Sequence, residues 1–271
     1  MAQVLLFDVA DTLVWLWEDL VASRLSSLSG MVKEDITNML RPSAYDGRGV
    51  MIAAFDLGEI SEEEFFDHVC RELKLTHDLS RDSEWIAWRG RVAECFLGIF
   101  RISRQMFFLL SYLKEEHPPT KDGGFILGVL SNMNKFLAHD LLSTFPVLRM
   151  LENGGVFHFH IWSYEVGVAK PDYQIFWKAF EEAGRVALKL GIPAPKPDKY
   201  IFIDDRTYNL EAFAQMGGRT VPSGGADENE IFAKIQLGLT NNGVPAVWPQ
   251  DFEKAVKITR PAPSLDAGAV A

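Results

Sequence analysis

Cysteine is nearly absent. Cys70 and Cys95 are the two in 271 residues, too few for a disulfide framework and not at metal-ligand spacing. Two reduced, half-buried thiols are expected. Positive charge is scarce as well, with 27 Lys plus Arg against 37 Asp plus Glu and a formal charge of −10. Nucleic acid and anionic membrane both reward basic patches, so neither is expected as the main partner. An anionic small substrate would need a local positive site or a metal ion. No apolar run approaches the roughly 20 residues of a membrane span. The N-terminal "VLLF" has no basic flank, long apolar core or cleavage site, so no signal peptide is read and a cytoplasmic protein is expected. Internal repeats are lacking too.

What remains is ordinary globular material, 48% hydrophobic and 24% charged. Short apolar runs alternate with helix-period segments. Strands are expected over 3–8 (QVLLFD), 124–131 (GFILGVLS), 156–162 (VFHFHIW) and 199–204 (KYIFID), with a short fifth around 217–222. Their lack of strict alternation suggests strands buried on both faces, as in parallel sheets. Between them, Ile102 to Leu113, Phe136 to Phe145, Ile175 to Leu190 and Leu210 to Met216 carry helical stripes. That rhythm implies an α/β fold, an open Rossmann-like parallel sheet with helices on both faces.

The first and second strands are too far apart for a βαβ crossover. The intervening stretch reads as all-helical, with a capping box at Ser61 and Glu64, flanked by Ile60 and Phe65 as a hydrophobic staple. Phe65, Val69 and Leu73, then Trp85, Trp88, Val92 and Phe96, recur at helical spacing and are expected to form the insert's own core. The expected division is a core of residues 1–14 and 100–258, a helical cap of residues 15–99, and a loose Pro/Ala/Gly-rich tail of residues 259–271.

In such a sheet ligands bind beyond the carboxyl ends of the strands. Asp8, then Ser131 with Asn132, then Asp204 with Asp205 fall at that edge, and Lys170 sits in the loop entering a long helix. Asp and Ser are common helix caps, but four segments in register are a stronger signal than any one. Three carboxylates in one crevice would repel and raise one another's pKa values unless something positive intervenes. Lys170 supplies one charge; all-oxygen ligands of this kind suit Mg2+ for the rest.

These segments carry a family resemblance. "FDVADTL", "VLSN", "AKPD" and "FIDDRTYNLEAF" resemble, in order and spacing, the four motifs of the haloacid dehalogenase-like (HAD) hydrolase superfamily, across residues 1 to about 220. The insert resembles the helical cap of its first subfamily, and "GEISEEEF" and "SYEVGVAKPD" resemble a sugar-phosphate phosphatase-like branch. The resemblance implies a Mg2+-dependent phosphatase of a small phosphorylated metabolite. It implies Asp8 as nucleophile and metal ligand, the Ala10 carbonyl as a further ligand, and Thr12 as a loop-orienting residue. Ser131 with the adjacent backbone N–H, and Asn132 beside it, would hold the phosphoryl group, and Lys170 would neutralise it. Asp205, with Asp204 close behind, would hold the metal.

One position departs from the pattern. Phosphatases of this family carry an aspartate two residues after the nucleophile, where this chain has Ala10. General acid–base catalysis of that kind is worth roughly 10²–10⁴ in rate. Four explanations stand. The leaving group needs little help, the reading ranked first; Asp11 or a cap residue stands in; the reaction differs; or turnover is lost and the chain is a phospho-ligand-binding scaffold. Related phosphonate-cleaving enzymes have alanine here with a cap lysine, for which Lys33 and Lys74 are available. Related dehalogenases expel a halide without an acid, but carry Ser-Ser-Asn where this chain has Asp-Asp.

Elsewhere, His158 and His160 alternate along a strand and share a face, with no matched third ligand, so a half-covered strand is expected. Trp15 and Trp17 fall at the cap–core junction as entrance lining or hinge packing. Arg24, Lys33, Arg41 and Arg48 are expected as solvated cap charges, and "PSGGAD" at 222–227 as a turn. Cap residues decide the substrate, and no oligomeric state can be read.

Overall fold

The structure is a computed structural model describing residues 1–16, 18–40, 49–75, 82–225 and 227–245. Trp17, Arg41, Arg48, the tail 259–271 and the far boundary of the core at 258 lie outside the described residues.

Among the described residues, seven strands run in chain order: β1 Gln3–Phe7, β2 Trp15–Leu16, β3 Phe100–Arg101, β4 Phe125–Ser131, β5 Phe159–Trp162, β6 Tyr200–Asp204 and β7 Arg219–Pro222. Five form one parallel sheet in the order β5-β4-β1-β6-β7, and β2 pairs antiparallel with β3. The chain fills one side of β1 with β4 and β5, then crosses to β6 and β7. This puts a topological switch point beside β1, where open α/β sheets bind ligands.

The sheet is buried on both faces, and the period-2 geometry of a strand sorts its side chains accordingly. Leu5 and Phe7 of β1, with Leu127, Val129, Ile201 and Ile203, belong to one apolar cluster; Val4 and Leu6, with Ile126, Leu130 and Phe202, belong to a second. The first is covered by α6 (Arg104–Glu116), α7 (Lys135–Thr144) and α11 (Glu228–Asn241). Beyond the one-turn α8 (Ser163–Val166), the second is covered by α9 (Tyr173–Lys189) and α10 (Thr207–Gln215), through Ile175, Phe176, Ala179, Ala183, Leu210 and Phe213. The helix α11 follows the expected turn; its Ile231, Ile235 and Leu239 are buried at four-residue spacing, a stripe the reading of that stretch passed over.

Among the described residues, five helices lie between β2 and β3: α1 Glu18–Ser29, α2 Lys33–Leu40, α3 Gly49–Asp56, α4 Glu62–Glu72 and α5 Asp82–Cys95. Phe65, Val69, Leu73, Val92 and Phe96 are buried there, with Trp85 and Trp88 packed against them. Phe66 stacks edge-on with Phe65, Phe96 and, in the core, Phe136, at centroid distances of 5.3, 5.6 and 5.1 Å. The aromatic stripes are packing.

The third expected strand is shorter than the sequence suggests, beginning at Phe159. His158 turns its ring back, Nδ1 accepting from the Leu127 N–H at 3.0 Å, while His160 Nε2 meets the Leu148 carbonyl at 2.9 Å. Burial holds both rings below the usual imidazole range, His160 at about 4. Backbone groups occupy both histidines, and neither joins a metal-spaced cluster among the described residues. Trp15 pairs with Arg101 in the stem between cap and core. Arg24 donates to the Cys95 and Leu97 carbonyls, tying α1 to the end of α5, and Lys33 pairs with Asp19 at the surface.

Candidate active site

The β1 strand ends at Phe7, and Asp8 follows with its backbone N–H bonded to the Ile203 carbonyl of β6 at 2.9 Å. The next residues close a tight turn. The Val9 carbonyl accepts from the N–H groups of Thr12, Leu13 and Val14, and Asp11 takes a left-handed backbone (φ 53°). Ala10 lies within this turn, bridged to Val14. Thr12 is buried and its hydroxyl lies 2.6 Å from that of Ser223, which follows β7. Because the Ser223 N–H donates to the Asp204 carbonyl, Thr12 and Ser223 lock the turn after β1 to the far side of the sheet.

Lys170 is the hub. Its ammonium reaches the Asp8 carboxylate at 2.7 Å and the Asp204 carboxylate at 2.6 Å, with only 2% of the side chain exposed. Asn132 positions it: the Asn132 Oδ1 accepts from the Lys170 N–H at 2.7 Å and its Nδ2 donates to the Lys170 carbonyl at 3.0 Å. That two-way clamp commits the Asn132 amide to the Lys170 backbone, a different task from the substrate contact expected of it. Ser131, buried at the end of β4, lies near Asp8 and favours its charged form.

Asp204 is fully buried and saturated with donors. Besides Lys170, it accepts from the Arg206 N–H at 2.8 Å and from Asn209 Nδ2 at 3.0 and 3.2 Å. Sequence reading missed Asn209; its signal is a polar residue on the buried face of α10, five positions after Asp204. Asp205 pairs with Arg206 Nε at 2.8 Å.

Together Asp8, Ser131, Asn132, Lys170, Asp204 and Asp205 converge at one strand edge, with Thr12 bracing the turn beside them. Oxygen atoms of Asp8, Asp204 and Asp205 lie within 4.8 Å of one another, the single such cluster among the described residues. Burial pushes the Asp8 carboxyl above the usual range, with Lys170 opposing and Asp204 adding to the shift. Burial likewise raises Asp205 to about 6, helped by Asp8. Burial alone would lower the Lys170 ammonium, but its two carboxylate partners outweigh that and raise it. A buried site with three carboxylates and one buried ammonium is short of positive charge, and its hard oxygen donors fit a small divalent cation.

No protein-family model matches the chain, and no curated protein matches it in sequence. Solved structures do. A HAD family enzyme from Bacteroides thetaiotaomicron, in complex with magnesium and inorganic phosphate, superposes with a TM-score of 0.60 at 20% identity, covering 84% of this chain and 97% of that one. A predicted HAD-like family hydrolase from Porphyromonas gingivalis gives 0.59 at 24% identity, covering 84% and 94%. An L-2-haloacid dehalogenase gives 0.51 at 16% identity, covering 85% and 91%. The chain has the fold these proteins share, a parallel α/β core with an inserted helical cap. A phosphate complex and a dehalogenase both stand among them, so the reaction has to be argued from the residues of the site.

Proposed function

We propose that this chain is a magnesium-dependent phosphatase that hydrolyses a small phosphorylated metabolite through an aspartyl-phosphate on Asp8. The observation that carries the reading is the meeting of Asp8, Asp204 and Asp205 within 4.8 Å, with Lys170 spanning the first two. Expelling a halide requires an aspartate nucleophile but no cation site, and a second buried carboxylate beside a third would then be a cost without a use. The magnesium and phosphate bound to the Bacteroides enzyme support the same choice.

Asp8 and Asp205 would hold the cation with the Ala10 carbonyl, and Asp204 would act mainly on Lys170, since its oxygens already accept from three groups. When bound, Mg2+ supplies charge neutralisation between carboxylates and phosphoryl oxygens. The remaining work falls to the chain. Asp8 attacks phosphorus; the bond to the leaving oxygen breaks and its electron pair stays on that oxygen, which takes a proton from solvent. Ser131 and Lys170 steady the transferring oxygens, and Asn132 and Asp204 hold Lys170 in place. Water then attacks the phosphoryl group on Asp8, releasing inorganic phosphate and restoring the carboxylate. Such transfer depends mainly on positioning and charge. With Ala10 offering no proton, the reading favours substrates whose leaving group is already stable, such as anomeric sugar, aryl or acyl phosphates.

The test is hydrolysis of p-nitrophenyl phosphate with and without Mg2+, in wild type and Asp8→Asn. Activity that needs Mg2+ and disappears in Asp8→Asn is expected. Equal inactivity of both proteins against a broad panel of phosphate esters would instead make the chain a phospho-ligand-binding scaffold.

A further inference from the structure

Among the described residues, two cationic side chains are ion-paired to carboxylates of the site: Lys170 and Arg206. They are placed very differently. Lys170 is sealed in and occupied by Asp8 and Asp204, whereas the Arg206 side chain is 57% exposed and anchored at Nε alone to Asp205 Oδ2. Asp205 itself has an oxygen within 4.8 Å of the Asp8 carboxylate, so the guanidinium it holds stands at the solvent-exposed border of the site. An in-line displacement on Asp8 sends the leaving oxygen away from that carboxylate, towards the open rim. The rim therefore lacks a proton donor at position 10 and carries a fixed positive charge at position 206.

We infer that Arg206 stabilises the departing oxygen electrostatically, in place of the proton that Ala10 cannot deliver. The inference rests on the phosphatase reading above. A guanidinium does not release its proton in a protein, so it is no general acid. It can meet the growing negative charge with a charge-assisted N–H···O bond while the oxygen is protonated by water. Such a group matters most for esters whose leaving group is a poor anion, and hardly at all for those that leave readily. The role also limits the substrate: an oxygen that must depart as an anion beside arginine belongs to an anomeric, enolic, aryl or acyl phosphate more naturally than to a simple alkyl ester.

The experiment compares a series of aryl phosphates, from p-nitrophenyl to p-methoxyphenyl, in wild type, Arg206→Ala and Arg206→Lys with Mg2+ present. Removing a buried oxyanion donor costs about 10²–10³; with Arg206 exposed, a loss of about tenfold is expected for p-methoxyphenyl phosphate. Little loss is expected for p-nitrophenyl phosphate, so kcat/KM should depend more steeply on leaving-group pKa in Arg206→Ala, with Arg206→Lys between. Calorimetric titration with Mg2+ alone should give Arg206→Ala an affinity equal to or tighter than wild type. Equal losses across the series, or a fall in Mg2+ affinity matching the fall in rate, would assign Arg206 to holding Asp205 and overturn the inference. Either result in an enzyme that still depends on Asp8 leaves the phosphatase reading intact; absence of Asp8-dependent hydrolysis removes both.

Discussion

Two polar regions of this molecule are built on opposite terms. At the C-terminal edge of the sheet, Asp8, Ser131, Lys170 and Asp204 arrive from separate segments and are buried, with Lys170 bridging the two carboxylates. At the seam between cap and core, one buried carboxyl does comparable duty with no ionic partner contributing. Asn134, the N-cap of α7, donates to Asp56 Oδ1 at 2.9 Å, and the Asp56 carbonyl accepts from the Ser163 hydroxyl. Gly58 lets the chain pass where a Cβ would stand 2.9 Å from the Tyr164 carbonyl, and Phe66 reaches Phe136 across the seam. Charges buried at the edge are costly to assemble, and stability gives little reason to keep them. The seam holds by apolar contact and by hydrogen bonds around a single carboxyl with no ionic partner contributing. The comparison teaches that chemistry is concentrated where burial is expensive, while the cap is attached by interactions that can give way without disturbing it.

The sharpest break in that comparison is Lys170→Met. Removing the ammonium leaves Asp8 and Asp204 facing each other in a buried site, a situation that typically costs 3–5 kcal/mol. An unfolding free energy, from urea titration, lowered by roughly that amount is expected, together with loss of hydrolysis. Asp8→Asn should lose hydrolysis with a far smaller stability change, because Lys170 keeps Asp204. Equal stability of the two variants would mean that the ion cluster is not the strained element described here. At the seam, Phe66→Ala is expected to cost about 3 kcal/mol, since it strips a buried ring from contacts with Phe65, Phe96 and Phe136. Hydrogen exchange should show the loss in α3, α4 and α5 while the sheet stays protected.

A smaller effect comes from pH. Burial raises the Asp56 carboxyl to about 6 against the opposing hydrogen bond from Asn134, with no charged partner contributing. The folded protein therefore holds a proton there that the unfolded chain has released, so Asp56 favours folding at low pH. That advantage is lost as pH rises from about 4 through about 6. Asp56→Asn keeps an oxygen for Asn134 to donate to and carries no charge. It should stabilise the protein by roughly 1–3 kcal/mol at pH 8 and by about half as much at pH 5. Thermal melts at the two values check the sign, and a gain confined to pH 5 would refute the assignment.

The edge was far more legible in the sequence than the seam, for a physical reason. A parallel sheet lines up its strand ends, so polar residues closing successive apolar runs must share one edge, and Asp8, Ser131 and Asp204 announced themselves that way. Lys170 was legible through the loop it sits in. Asn209, Arg206 and Ser223 were not, because a polar residue in the first turn of a helix or just after a strand has the same local pattern whether or not it faces a site. The two-residue strands Trp15–Leu16 and Phe100–Arg101 are too short for any periodicity and are created only by their pairing across the insert. Asp56 closes an unremarkable helix, and its partner Asn134 lies 78 positions away. Helical stripes in the cap could be read as core because apolar spacing is local; which face meets the sheet is not.

The mildest perturbation tests whether the two regions are separable at all. Ser61 caps α4: its hydroxyl accepts from the Glu64 N–H at 3.2 Å while the Glu64 carboxylate accepts from the Ser61 N–H at 2.8 Å, the capping box expected from the sequence. Glu62, Glu63 and Glu64 also suit the positive end of the helix. The same helix carries Phe65 and Phe66, so loosening its first turn slackens the seam without touching a residue of the edge. Ser61→Ala should cost about 1 kcal/mol, read as a small drop in urea midpoint and faster amide exchange at the start of α4. Turnover of p-nitrophenyl phosphate should not change. A fall in kcat from this substitution would mean that the cap's attachment sets the geometry around Asp8 and Lys170, and edge and seam would have to be treated as one cooperative unit.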